Sequence, residues 1–255
     1  MKRIIMGICI FILLSCLCWA GELTGRDIML KVDAVDTSKD YRMTAVMVIN
    51  RRGQKLIRRM EMWNKRYGPD ERRLIKFIEP PDVRGIMFLI WSYEDIDRDD
   101  DMWIYLPAES LVRRISGGGK KGAFMRSDFA NEDIEKREVD DDEHRLLRSE
   151  ILYGVDCYVV ESIPKKKRDT NYSKRVVWVR KDIWLPMKVE YYNKRGRHFK
   201  TLICGGFKQI EGIWTITKMM METPYRGSKT LMQRINVDYN IGLSDSLFRQ
   251  SNLKR

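Results

Sequence analysis

The residues that could do chemistry are few. Nucleophilic hydrolysis needs a base beside a Ser or Cys, and His144 and His198 are the only two histidines. His144 lies in a charged stretch, and His198 follows the Lys194-Arg195-Gly196-Arg197 turn, so neither has a setting for a catalytic base. Zinc would require Cys and His clustered at ligand spacing, and none are. Asp97, Asp99 and Asp101 alternate as carboxylates around a hard cation can, but the stretch lacks the glycine turn and closing Glu of a helix-loop-helix calcium loop. Ser116-Gly117-Gly118-Gly119-Lys120-Lys121 lacks the residue order of a phosphate loop and reads as a mobile surface loop. No enzyme activity, metal or cofactor is therefore expected.

What the chain has in quantity is adaptable apolar surface, 15 Met and seven Trp, many at strand spacing. Such side chains fit ligands of variable shape when a folded sheet gathers them on one face. Residues 41–50 alternate Met43, Ala45, Met47 and Ile49 with Arg42, Thr44, Val46 and Val48; Arg51-Arg52-Gly53-Gln54 turns the chain, and 55–63 returns with Leu56, Met60 and Met62 on one side. That is a hairpin. Arg58 interrupts the apolar side, and a charge there is expected at a rim, where its head can reach water, or as a latch at a cavity mouth. Residues 72–78 give a third strand.

Residues 86–91 are apolar on both faces, the pattern of a sheet with no solvent side. Further runs at 102–106, 111–115, 146–152, 157–163, 174–180, 187–192, 199–207, 213–222 and 230–239 are separated by hairpin-length turns, which makes neighbours antiparallel. So many strands exceed what an open twisted sheet holds without curling, and a strongly curved antiparallel sheet follows. Thr24-Gly25-Arg26-Asp27 caps an amphipathic helix with Ile28, Val32 and Val35 on one face, and 244–248 reads as a short helical turn. The acidic run 140–143 and the basic run Lys165-Lys166-Lys167-Arg168 read as solvated surface.

Residues 1–20 carry Lys2 and Arg3, an uncharged run, and Cys18-Trp19-Ala20, the form of a secretory signal peptide cleaved after Ala20. Leu13-Leu14-Ser15-Cys16 leaves lipid anchoring at Cys16 as an alternative. Residues 21–255 then form one domain. Loss of Lys2 and Arg3 takes the formal charge from +12 to +10. An exported basic protein whose arginines are spread along strands fits an anionic membrane surface better than nucleic acid, which is not expected as a partner. Outside the leader only Cys157 and Cys204 remain, compatible with one disulfide if their strands are neighbours, or with two buried thiols.

Three ordered blocks, PPDVRGIMFL, DMWIYLPAESLVRRI and FMRSDFANEDI, carry Pro80, Asp82, Arg84, Gly85, Tyr105, Leu106, Pro107, Arg113, Arg114, Phe124, Ser127, Asp128 and Phe129. Here the chain resembles the outer membrane lipoprotein-sorting proteins, relatives of the periplasmic lipoprotein carrier and its outer-membrane receptor, over nearly its whole length. It departs at Arg126, where Gly is expected, and at Ala130-Asn131, where an aromatic is common. The resemblance implies a mainly β, half-open barrel of LolA/LolB-like fold, covered by helices and holding a hydrophobic cavity. It implies periplasmic binding and transfer of lipid or lipoprotein acyl chains by non-covalent burial, with an inner-membrane transporter and, transiently, the membrane surface as partners. The alternative is a non-catalytic envelope module coupled to a transporter. The cavity is expected to include Met43, Met47, Met60, Met62, Phe88, Trp103, Tyr105 and Met187. Asp82 is expected to pair with Arg84, and Asp128 with Arg113 or Arg114.

Overall fold

The computed structural model describes residues 23–165 and 170–254. The leader with Ala20 and Cys16, and Lys166, Lys167 and Arg168 of the basic run, lie outside the described residues. One α-helix, α1 (Gly25–Asp33), precedes six strands, β1 (Asp40–Arg51), β2 (Gln54–Tyr67), β3 (Asp70–Glu79), β4 (Met87–Ser92), β5 (Asp101–Leu106) and β6 (Leu111–Ile115). Seven more follow the crossover 116–141: β7 (Asp142–Leu152), β8 (Val155–Pro164), β9 (Tyr172–Arg180), β10 (Pro186–Asn193), β11 (His198–Ile210), β12 (Ile213–Thr223) and β13 (Ser228–Tyr239). The helix is capped as its sequence requires, with Thr24 accepting from the Asp27 amide and Asp27 from that of Thr24. It docks so closely on β7 that a Cβ on Gly25 would lie 2.7 Å from the Arg145 amide nitrogen.

The 13 strands of the described residues form one sheet in the order β6-β5-β4-β3-β2-β1-β13-β12-β11-β10-β9-β8-β7. Each half is a meander, and the crossover carries the chain from one edge strand to the other. Three hairpins close on two-residue turns with both residues at positive φ, Arg52-Gly53, Tyr153-Gly154 and Glu211-Gly212. That geometry matches the right-handed twist of the strands it joins.

The sheet is strongly curved. Arg73 on β3 donates to the Ile134 carbonyl, while Lys200 on β11 meets the neighbouring Asp133 at 2.6 Å. In a flat sheet β3 and β11, five steps apart in the strand order, would stand about 24 Å from one another. One face of both halves therefore closes on one cluster that includes Met43, Met47, Met60, Phe77, Phe88, Val177, Val189 and Met232.

Besides α1, whose Ile28 joins this cluster, the cover is the crossover, which lies on the concave side as a series of 3-10 turns and inserts Phe124, Phe129 and Ile134 into it. The outer face of β2–β5 is covered by the tail 243–254, with Phe248 and Leu253 packed on Leu74, Met87 and Leu89. This is why 86–91 is apolar on both sides. Cys157 and Cys204 are both free and buried. They sit on β8 and β11 with β9 and β10 between them, about 14 Å of sheet, far beyond disulfide reach. Burial pushes the Cys204 thiol up to about 12.

Candidate functional site

Met43, Met47, Met60, Met62 and Phe88 meet on the concave face, all between 0 and 6 % exposed. The other three expected cavity residues do not join them. Phe88 stands opposite Ile104 in the β4–β5 register, so Trp103 and Tyr105 face outward, beneath the tail. Met102 and Ile104 take the inner positions on β5. Met187 sits at a β-bulge between Pro186 and Lys188, which reverses the phase of β10: Val189 and Tyr191 point inward while Met187 packs on the outer cluster with Cys157 and Trp178.

The open cavity expected at this face is occupied by the crossover. Phe124 lies 5.0 Å from Phe88 and 5.8 Å from Phe77, ring centroid to centroid. Met125 and Arg126 follow at φ of 48° and 64°. A left-handed conformation at the second of these is the physical reason for a glycine there, and Arg126 adopts it at a cost of about 1 kcal/mol.

Polar side chains from five strands fasten this cover. Arg58 of β2 is 4 % exposed, not at a rim, and its Nη1 donates to the Met125 carbonyl at 2.7 Å. Burial lowers its pKa, and the field of Asp82 acts in the opposite sense. Arg73 of β3 holds the Ile134 carbonyl. Asp128 accepts from Ser228 Oγ at 2.5 Å and Thr230 Oγ1 at 2.7 Å, both on β13. It pairs with neither Arg113, which binds Glu109 at 3.0 Å, nor Arg114, which binds Asp101. Arg84 donates to the Ile78 carbonyl rather than to Asp82. Asp133 takes Lys200 of β11 and, at 2.6 Å, the hydroxyl of Tyr172 on β9, whose pKa rises well above that of a free tyrosine through burial and then this carboxylate.

The loop 116–122 is not free. Lys120 donates to the Asp100 carbonyl and lies 2.7 Å from Glu135, and Asn131 and Asn171 bind the Gly119 and Lys121 carbonyls. Desolvation raises Glu135 to about 7 against the pull of Lys120. The acidic run is solvated only at its ends: Glu143 is exposed and Asp140 partly so, whereas Asp142 is 5 % exposed between Arg137 and Arg175.

His144 lies on β7, with Nδ1 2.8 Å from Ser162 Oγ and Nε2 2.8 Å from the Val139 carbonyl. The carbonyl assigns the proton to Nε2, which leaves Nδ1 to accept from Ser162. Ser162 is 2 % exposed on a strand, so the pair ties strands together, and burial lowers the His144 pKa. Among the described residues no group of three or more potential metal ligands converges. Sequence reasoning missed the buried Asp133–Lys200–Tyr172 centre, because nothing local relates residues on three separate elements.

A family model described as "Uncharacterized protein" matches residues 69–255. No curated protein matches the chain. A DUF1329 family protein from Desulfovibrio piger is 47% identical, with a TM-score of 0.88 over 90% of this chain and 97% of that one. A domain from Vibrio parahaemolyticus named for outer membrane lipoprotein sorting is 33% identical, TM-score 0.86, over 91% of this chain and 98% of its own. A LolA superfamily protein from Nitrosomonas europaea, 23% identical over 89% and 98% of the two chains, shares the fold at a TM-score of 0.73. With the three sequence blocks and the open curved sheet, these likenesses place the chain in the outer membrane lipoprotein-sorting protein family, with a LolA-like fold.

Proposed function

We propose that the protein binds lipid or lipoprotein acyl chains in the periplasm by reversible burial, with Met43, Met47, Met60, Met62 and Phe88 as the apolar floor and the crossover as a displaceable cover. The observation that carries this reading is the nature of the cover. Its contacts with the floor are aromatic and replaceable by an acyl chain, while its hold on the sheet rests on discrete polar fastenings such as Arg58 on the Met125 carbonyl. Each methylene moved from water to such a floor contributes about 0.8 kcal/mol, so an acyl chain can compete with the Phe124 ring. Transfer to or from an inner-membrane transporter, and transient contact with a membrane surface, belong to the same reading, and the work is done without covalent chemistry.

The test is mass spectrometry of lipid that co-purifies with the protein from the periplasm, followed by uptake of added phospholipid and triacylated peptide. Lipid is expected in the native protein and reduced occupancy in Phe88→Lys. Absence of lipid and of uptake would favour the second reading, a non-catalytic envelope module coupled to a transporter. The filled state of the concave face is the observation on that side.

A further inference from the structure

The sheet is split between β12 and β13. The two strands pair only from Lys218↔Gln233 to Thr223↔Ser228. Beyond that point β12 continues against β11 alone and β13 against β1 alone. Two local features part them. Ile235 is squeezed out of register between Arg234 and Asn236, a bulge in β13 against β1, and Gly206 on β11 takes φ 61°. The far end of the split is closed by the Thr215 and Tyr239 hydroxyls, 2.8 Å apart.

A cavity of about 350 Å³ occupies the split, within the size range of small-molecule sites. Lys208, Lys218 and Arg234 line it together with Ile210, Ile235 and Val237, and among the described residues no acidic side chain does. Its lining residues come from both faces of the sheet. Lys218 lies on the outer side, whereas Ile210 and Val237 pack against the central cluster. Arg234 stands opposite Ala45, which is 0 % exposed on the inner face, and its field reaches Tyr41, Cys204 and Tyr239. It is half-buried, and among the described residues no carboxylate lies within 4.0 Å of it and no carbonyl accepts from it. The nearby Asp238 is engaged by Arg42 at 3.2 Å. A half-buried guanidinium without a partner is unusual, since the group is favourable away from water chiefly when paired.

We infer that the split is a binding slot for an anionic amphiphile, with a phosphate or carboxylate head on Arg234, Lys208 and Lys218 and an acyl chain passing over Ile210 and Val237 into the interior. The slot deepens the acyl-binding reading, on which it rests, by adding a charge requirement and a second route to the floor that does not pass beneath the crossover.

The experiment is calorimetric titration of the protein, below the critical micelle concentration, with lysophosphatidylglycerol, with net-neutral lysophosphatidylcholine and with inorganic phosphate. Arg234→Gln should weaken lysophosphatidylglycerol about tenfold, the loss of one charge-assisted contact, and lysophosphatidylcholine, whose choline offsets its phosphate among the three cations, by less. Arg234→Lys should retain most of the affinity, and Lys208→Gln, an exposed change that folding tolerates, should weaken the anionic lipid to a smaller degree. Equal binding of the anionic lipid by the wild type and both Gln variants would overturn the slot and leave acyl binding standing. Full competition by inorganic phosphate would make it a free-anion site and overturn the amphiphile. Failure of the wild type to bind either lipid would overturn the slot and the acyl-binding reading together.

Discussion

Arg58 and Met125, 67 positions apart, are joined by a 2.7 Å hydrogen bond from a buried guanidinium to a backbone carbonyl. The bond fixes the crossover at the point where Met125 and Arg126 both take positive φ, so the strained turn and its fastening coincide. Replacing Arg58 with Leu removes the fastening without leaving a charge behind. Local opening of residues 122–134 should then become easier by about 1.5 kcal/mol, the value of a hydrogen bond to a charged group. Hydrogen exchange across that stretch should rise roughly tenfold while β1 and β2 stay protected. Unchanged exchange would reduce Arg58 to a packing role.

Asp128 is fastened at three points, its two carboxylate oxygens by Ser228 and Thr230 and its own amide by Thr230 Oγ1 at 3.0 Å. Thr230→Val leaves a buried carboxylate short of a donor and should cost about 2–3 kcal/mol in urea unfolding. Adding Asp128→Leu removes the stranded charge, so the double variant should lose less than the sum of the single losses by at least about 0.5 kcal/mol. Strict additivity would show that the two residues do not act as a unit.

The framework was legible wherever the signal is local. Arg52-Gly53, Tyr153-Gly154 and Glu211-Gly212 announce their turns, and the two-sided apolar run in β4 announces a strand covered on both faces. Face assignment failed where the period of two is broken or must be carried across strands. The bulge at Met187 flips β10 with no marker in composition, and the inner row of β5 is set by Ile104↔Phe88 pairing, a register that turn lengths alone do not fix. Arg58 and Asp128 were misread because their partners lie 67 and 102 positions away. The choice between a Cys157–Cys204 disulfide and two buried thiols was open for the same non-local reason, and the two strands between them decide it for the thiols.

The tail offers a test of which face binds ligand. Phe248 is fully buried on the outer cluster, and its carbonyl accepts from Trp91 Nε1 at 3.0 Å. Phe248→Ala should cost about 3–5 kcal/mol of stability and redden the emission of Trp91 and Trp103. Lipid uptake per folded molecule should not change, because Trp103 and Tyr105 look away from the floor. A parallel loss of uptake would return the outer face to the site.

Glu135 makes the cover pH-sensitive. Its carboxyl titrates near 7 in the folded protein, raised by desolvation and by Asp100 and Glu132, with Lys120 opposing. In the unfolded chain it titrates near the ordinary 4.3, so between the two values the folded state holds the extra proton. Stability therefore gains from this group as pH falls from about 7 toward 4.3, and the gain is absent above 7. The full difference corresponds to about 4 kcal/mol at most, at about 1.4 kcal/mol per pH unit. Asp142, whose pKa is lowered with Arg137 and Arg175 as its partners, contributes in the opposite sense, its share being lost at lower pH. Glu135→Gln should flatten the stability profile between pH 5 and 7, with little change at pH 5, where the native carboxyl is already neutral. Chemical unfolding at half-unit steps checks this, and a wild-type profile that rises from pH 5 to 7 with the same slope as Glu135→Gln would show that Glu135 stays ionised beside Lys120.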